Sequence, residues 1–157
     1  MVGGKRRIPF APTPHDIISK ILSIANPNPD DKLYDLGSGD GRILIGAAQE
    51  YKCEVIGIES NPELYRLSLQ KCKKNNVNAK IILGNFYEYS LRDADIVFLY
   101  LLPEALEDLK PNLLTLKRGA RIICHDFPIP GWKIDEVHKV YSYESGRKHT
   151  IYLYKVK

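Results

Sequence analysis

One short stretch constrains the fold of this 157-residue chain more than any other. The apolar run over residues 33–36 contains a single acid, Asp35, and breaks into three alternating glycines within residues 37–41. Residues 42–48 then show a helical pattern of apolar side chains. This order predicts a β-strand, a tight turn and a helix N-terminus, which bring bare backbone close to a nucleotide-like ligand. Glycine suits the turn because a side chain would obstruct the ligand and because positive φ is expected there.

The residues around the glycines favour one kind of ligand over another. A dinucleotide-binding fingerprint would place its third glycine at position 42, which is Arg42. Asp35 and Asp40 are poor neighbours for a pyrophosphate but good ones for a ligand with an amino group and a sulfonium. Glu59 ends the next apolar run, 18 residues past Gly41. A carboxylate at that strand end can accept hydrogen bonds from both hydroxyls of a ribose.

Together these residues resemble motifs I and II of the class I S-adenosylmethionine (SAM)-dependent methyltransferases, with a nicotinamide or flavin enzyme as the less favoured interpretation. The resemblance implies an α/β, three-layer Rossmann-like fold. Its mostly parallel seven-stranded sheet would end in a C-terminal antiparallel hairpin. The sequence pattern predicts strands at about 32–36, 53–59, 79–83, 95–100, 120–124, 136–143 and 148–156. It predicts a first helix capped by Thr13 with Pro14 at its first position, and others over roughly 41–51, 62–75 and 104–116, the last broken or restarted at Pro111.

Length and composition are those of one domain over residues 1–157, with residues 1–13 as an extended, proline-rich arm. The longest apolar run, residues 96–102, is too short to cross a membrane. No apolar signal core follows the basic N-terminus, so we expect a cytoplasmic protein without membrane insertion. A monomer is also expected. Cys53, Cys72 and Cys124 lie in apolar or helical patterns and are interpreted as reduced core residues.

The methyltransferase resemblance also implies a set of cofactor contacts. An acid is usual where Asn85 stands, but an amide can still accept from and donate to an adenine ring, and Phe86 would pack on the adenine face or in the core. The predicted SAM-binding residues are Asp35, Gly37, Ser38, Gly39, Asp40, Glu59, Ser60, Asn61, Asn85, Phe86, Tyr100 and Leu101.

The arm over residues 9–14, combined with residues 35–42, has a pattern that is specific to a narrower group of methyltransferases. It resembles small archaeal protein-lysine methyltransferases of broad specificity, which are related to mitochondrial enzymes acting on ATP synthase subunit c and the adenine nucleotide translocase. The resemblance implies methylation of exposed lysine ε-amines on many proteins. The Asn- or Asp-Pro-Pro-aromatic signature of many nucleobase-amine enzymes is absent after the fourth strand. A methyltransferase of RNA or a small molecule and a non-catalytic SAM-binding module remain alternatives. The net charge of +4 does not distinguish a protein partner from a nucleic-acid partner, so both stay open.

Lysine methylation requires loss of a proton from an amine with a pKa near 10.4 in solution. Burial of the ammonium beside a sulfonium would lower that pKa, so a dedicated base is optional. Tyr100 and Glu104 are the candidate catalytic residues, although a helix dipole explains Glu104 equally well. Phe10, Pro12, Thr13, His125 and Asp126 are predicted to contact the substrate. No metal is expected, because the remaining histidines, His15, His138 and His149, suggest neither a metal site nor a triad.

Overall fold

A computed structural model of the protein describes residues 12–157. The predicted order of strands and helices is confirmed. The strands are β1 (Lys32–Leu36), β2 (Glu54–Glu59), β3 (Lys80–Leu83), β4 (Ile96–Leu99), β5 (Arg121–His125), β6 (Glu136–Ser142) and β7 (Arg147–Lys155). The helices are α1 (His15–Ala25), α2 (Arg42–Tyr51), α3 (Pro62–Lys74) and α4 (Pro103–Leu113), with a 3₁₀ turn at Phe86–Glu88.

The seven strands form one sheet in the order β3-β2-β1-β4-β5-β7-β6. The first five strands pair in parallel, and β7 lies antiparallel between β5 and β6. The chain reverses direction across the sheet at β1, since β2 lies on one side of it and β4 on the other. Open α/β sheets bind ligands outside the carboxyl ends of their strands at such a switch point.

Helices cover both faces of the sheet, as the unbroken apolar strands predict. On one face α1 and α2 pack on β-strand side chains such as Leu33 and Ile96. On the other face α4 packs on Leu36 and Leu99. The three-layer α/β architecture is therefore confirmed. Cys53, Cys72 and Cys124 are buried free thiols, as expected.

The start of α1 differs from the prediction. Its N-cap is Pro14, and no side chain caps the helix, so the assignment of Thr13 as the cap is wrong. The Thr13 hydroxyl instead lies 3.0 Å from Nδ1 of His125. The long-range hydrogen bond takes the hydroxyl that the local cap would have used.

The predicted interruption of α4 at Pro111 is also wrong. The helix continues through Pro111 to Leu113. Proline removes a single backbone hydrogen bond at this position, which lies in the last turn of the helix. Leu106, Leu109 and Leu113 are fully buried on the face of α4 that covers the sheet, and this packing holds the turn in place.

The helix α3 begins at Pro62, where the sequence pattern predicts its start. Pro62 is at its first position, and Oδ1 of Asn61 accepts hydrogen bonds from the backbone nitrogens of Glu63 and Leu64. This cap satisfies two of the donors that a helix N-terminus leaves unpaired. Among the described residues no helix is both long enough and apolar enough to cross a membrane.

Candidate active site

The predicted site residues that follow β1, β2, β4 and β5 converge on one edge of the sheet. Leu36 of β1 is aligned with Ile58 of β2 and with Leu99 of β4, and Leu99 is aligned with Cys124 of β5. The loops that follow these four strands therefore leave the sheet side by side. They carry the glycine turn, Glu59, Tyr100 and His125 with Asp126 to the same edge.

The glycine turn after β1 is tied to β2 by its backbone. The nitrogens of Gly37 and Ser38 donate to the Ile58 carbonyl at 2.8 and 3.1 Å, and the Gly39 nitrogen donates to Oε1 of Glu59 at 2.8 Å. Gly37 and Gly39 have φ values of 81° and 58°, in the region that favours glycine. The expectation of positive φ is confirmed, and the turn presents backbone without side chains.

Glu59 connects the glycine turn to the start of α3. Its Oε2 accepts a hydrogen bond from the Asn61 nitrogen at 2.8 Å, and the intervening Ser60 is exposed. Each carboxylate oxygen has a second lone pair, so Glu59 can still accept hydrogen bonds from ligand hydroxyls. The prediction from sequence had not anticipated that the same carboxylate orders the turn.

Asp35 is a buried acid whose charge residues 12–157 leave uncompensated. Its side chain is 4% exposed, and no hydrogen bond reaches its carboxylate from residues 12–157. Burial, together with the neighbouring carboxylates of Glu59 and Asp40, raises the pKa of Asp35 well above its usual range. A ligand with a positive charge would offset this cost. The uncompensated carboxylate and the bare turn beside it fit the cationic groups and the close approach of SAM.

Asp40 is held by two basic side chains, Arg42 and Lys71. Its Oδ2 lies 2.8 Å from both Arg42 Nη2 and Lys71 Nζ, and Arg42 Nε donates to its Oδ1 at 3.0 Å. Burial alone would raise the pKa of Asp40, but the hydrogen bonds from Arg42 and Lys71 lower it below its usual range. The charge of Asp40 is thus balanced within the chain. Asp40 shapes the end of the turn rather than offering an unpaired acid.

The side of the turn predicted to face adenine is lined by Phe86 and Leu101. A Cβ placed on Gly37 would lie 3.8–3.9 Å from these two side chains. Phe86 is largely buried in the core cluster, in keeping with the simpler of its two interpretations. Asn85 accepts a hydrogen bond from the Tyr87 nitrogen at 3.0 Å. Its oxygen is thus partly used by the 3₁₀ turn, whereas its amide nitrogen donates to none of residues 12–157.

Tyr100, His125 and Asp126 form one contact group. The Tyr100 hydroxyl donates to Oδ2 of Asp126 at 3.2 Å, and its ring stacks on the His125 ring with centroids 3.7 Å apart. Asp126 adopts φ 64°, an uncommon conformation for a residue with a side chain. Arg147 Nη2 donates to Asp126 Oδ2 at 2.7 Å, and the Thr150 nitrogen donates to Oδ1. These hydrogen bonds hold the carboxylate at the edge of the sheet where the glycine turn and Glu59 also lie.

The protonation states of this group follow from its burial. Burial lowers the pKa of His125 to about 3, so its imidazole is neutral at pH 7. Burial, and then the charge of Asp126, raise the pKa of Tyr100, which keeps its hydroxyl protonated. Burial would raise the pKa of Asp126, but the hydrogen bond from Arg147 lowers it, so that Asp126 is an anion.

The predicted substrate contacts and the candidate catalytic residue Glu104 differ in how deeply they are buried. Thr13 is buried and approaches His125, whereas Pro12 and Glu104 are exposed. Glu104 lies in the first turn of α4, where the helix dipole accounts for an acid. Phe10 falls outside the described residues.

Arg42 and His149 are among the residues of the site that the sequence pattern does not predict. Arg42 Nη1 donates to the Thr13 carbonyl at 2.9 Å, while its Nη2 and Nε bind Asp40. Arg42 thereby joins the arm to the glycine turn. Its position directly after the third glycine was the available signal. His149 gave no signal, because only the pairing of β7 with β5 brings it to His125.

Comparison with known proteins places this geometry in a family. Residues 35–136 match the ANTKMT methyltransferase domain. A protein-lysine N-methyltransferase of Saccharolobus islandicus is 43% identical over 152 residues, which cover 94% of this chain and 92% of the relative. The adenine nucleotide translocase lysine N-methyltransferase of Mus musculus is 32% identical over 130 residues. That alignment covers 81% of this chain and 56% of the mouse protein, so the chain spans little more than half of that relative.

A solved structure agrees with the fold and the cofactor. The RNA methyltransferase from Salinibacter ruber in complex with S-adenosyl-L-homocysteine superposes with a TM-score of 0.86 at 33% identity. The superposition covers 93% of this chain and 94% of the other. From these matches and the site geometry, the chain belongs to the ANTKMT methyltransferase family and is an SAM-dependent methyltransferase.

Proposed function

We propose that this chain methylates the ε-amino groups of exposed lysines on a broad set of proteins. The observation that carries the proposal is the buried Asp35, whose carboxylate accepts no hydrogen bond from residues 12–157, beside a bare glycine turn at the same edge as the Tyr100–Asp126 pair. The edge thus offers separate places for a cationic donor and for an amine. The archaeal relative, which aligns over nearly the whole of both chains, is named a protein-lysine N-methyltransferase.

In this proposal the cofactor is held by residues of the first three strand ends. Asp35 faces the positive charge of SAM, Glu59 accepts hydrogen bonds from its ribose, and the Asn85 amide contacts its adenine. The backbone of Gly37 and Gly39 allows the close approach. SAM supplies the methyl group. Asp40 acts indirectly, through its ion pairs with Arg42 and Lys71.

Tyr100 and Asp126 receive the substrate amine in the same proposal. The Asp126 anion favours the arrival of an ammonium group, and the protonated Tyr100 hydroxyl fixes the direction of that carboxylate. His125 is no candidate base, because both of its ring nitrogens are within hydrogen-bond distance of partners and its pKa is about 3. Proton loss from the lysine therefore relies on desolvation and on the nearby cation. Alignment of the amine with the methyl group would further lower the reaction barrier, by up to roughly 7–11 kcal/mol for well-aligned reactants.

RNA is the second candidate substrate, because the Salinibacter ruber structure with a TM-score of 0.86 is named an RNA methyltransferase. The experiment incubates the full chain with methyl-labelled SAM and either a mixed protein extract or total RNA. We expect label in protein, with mass spectrometry finding methyl-lysine on several different proteins. Label confined to RNA would overturn the lysine assignment. SAM binding without transfer to either pool would identify a non-catalytic module.

We also propose that residues 1–157 act as one domain, as a monomer in the cytoplasm. The exposed edge strand β6 carries Glu136, His138 and Lys139, and charged side chains discourage pairing between sheet edges. Sedimentation velocity at micromolar concentration should give one species of 17.9 kDa. A stable species of twice that mass would contradict the proposal.

A further inference from the structure

Three metal-binding side chains meet where β5 lies beside β7. Nε2 of His125 is 2.7 Å from Nδ1 of His149. Oδ2 of Asp126 is 3.6 Å from each of these nitrogens. His125 and His149 are almost fully buried, and the Asp126 side chain is 13% exposed. Methyl transfer as proposed above makes no use of His149.

We propose that His125, His149 and Asp126 form a binding site for a divalent transition-metal ion of the zinc type. Two imidazoles and one carboxylate are the ligands that Zn²⁺, Co²⁺ and Ni²⁺ accept, whereas Mg²⁺ prefers oxygen ligands alone. Three protein ligands leave a fourth position for water. The site shares Asp126 with the amine contact of the proposed function, so a bound ion and a substrate ammonium group would compete for that carboxylate.

The distances between the three atoms match the size of such an ion. A point equidistant from them in their own plane lies about 1.9 Å from each atom, against Zn–N distances of about 2.0–2.1 Å and Zn–O distances of about 2.0–2.2 Å. An ion displaced slightly from that plane would therefore reach all three ligands. Little movement of the backbone would be needed.

The partners of the histidines are those of a metal site. The remaining nitrogen of His125 faces the Thr13 hydroxyl at 3.0 Å, and that of His149 faces the Ser145 hydroxyl at 2.7 Å. Ligating histidines commonly hydrogen-bond through their second nitrogen, which fixes the ring and its tautomer. A hydroxyl can donate or accept. The proton that His125 and His149 share can thus move to the far side of a ring, so two neutral imidazoles bind metal without losing a proton.

Charge at the site both favours and opposes a cation. The Asp126 carboxylate offers a negatively charged oxygen ligand beside two imidazoles that are almost fully buried. Arg147 is the opposing group, because its guanidinium binds Asp126 Oδ2 at 2.7 Å. Its side chain is 49% exposed and can move into water. Removing this positive charge should therefore strengthen metal binding.

Calorimetry and Co²⁺ absorption spectroscopy on the full-length protein test the proposal. We expect Zn²⁺ and Co²⁺ to bind with one ion per chain, and Mg²⁺ at the same concentration to leave the melting temperature unchanged. Bound Co²⁺ should show visible bands of four-coordinate nitrogen and oxygen ligation without a thiolate band. A thiolate band would assign the ion to a cysteine, and no saturable binding would overturn the site.

Variants distinguish this cluster from other histidines. Arg147→Gln should lower the Zn²⁺ dissociation constant at least 3-fold, and because Arg147 is half exposed the variant is expected to fold. His149→Gln should raise the dissociation constant at least 30-fold. His138→Gln is the matched control. His138 lies on β6, the strand beside β7, and forms a surface pair with Glu136 of the same strand. Equal effects of the His149 and His138 substitutions, or weaker binding after Arg147→Gln, would refute the proposal.

Discussion

Replacing Asp35 with asparagine tests both its contribution to SAM binding and the cost of its burial to the stability of the protein. Asp35→Asn keeps the shape of the side chain and removes a carboxylate that residues 12–157 leave without a hydrogen bond. A hydrogen bond to a charged group is worth about 1.5–3 kcal/mol. The variant should therefore bind SAM about 10- to 150-fold more weakly by calorimetry. In the absence of SAM it should be more stable than the wild type at pH 7.5, because a buried charge without a partner costs free energy.

The effect of Asp35→Asn on stability should depend on pH. The folded-state pKa of Asp35 is raised above its unfolded value of 3.8. The stability that this group contributes is therefore present below the unfolded pKa and lost as pH rises through the folded pKa. The variant lacks this titration. Its melting temperature minus that of the wild type should thus increase from pH 4 to pH 8, as measured by circular dichroism without SAM.

Asp93→Asn is the matched control for Asp35→Asn. Asp93 is also a carboxylate beside β1, but it binds Lys32 and the Tyr34 hydroxyl near the amino end of the strand. Its replacement should leave SAM affinity within about 3-fold of the wild type. Equal SAM affinity for the wild type and Asp35→Asn would refute our placement of the cofactor. A melting-temperature difference that does not change with pH would refute the assigned pKa shift.

Three further substitutions test other parts of the edge. Glu59→Ala should weaken SAM binding by about 1–3 kcal/mol, because the turn and α3 both lose an acceptor; unchanged affinity by calorimetry would exclude this role. Tyr100→Phe removes the hydrogen bond to Asp126. It should keep SAM affinity and change either turnover or the methylation state of the product. Full activity with normal products would show that Tyr100 only packs. Gly57→Ala would place a Cβ 2.6 Å from Leu44 Cδ1 and Ser38 Oγ, and denaturant unfolding should show a loss of about 1–3 kcal/mol; an unchanged midpoint would contradict the close approach.

Local patterns in the sequence predict most of the fold. Alternating glycines, unbroken apolar strands and the Asn61-Pro62 helix start each act over a few residues, so their patterns predict the structure directly. The failures at Thr13 and Pro111 have one cause. In both places a distant contact outweighs the local preference: the hydrogen-bond contact with His125 for Thr13, and the buried leucines of α4 for Pro111.

The charges of the site were harder to predict than its position. The sequence places Asp35 and Asp40 on the same turn, but it does not show that Lys71, 31 residues further on, neutralises only the second. The sequence likewise gives no sign of the place of His149 beside His125, because that contact depends on the antiparallel insertion of β7. Residue types at strand ends can be read from a single sequence. Which of them remain unpaired depends on contacts across the fold.

The position of β7 has a consequence for how the protein forms during synthesis. Both neighbours of β7 in the sheet, β5 and β6, leave the ribosome before it does. The outer edge of β5 therefore stays open, and β6 has no strand to join, until residues 147–155 emerge. Because β7 also brings His149 and Arg147 to Asp126, the edge that carries Asp126 is completed last, after the glycine turn has its strands in place.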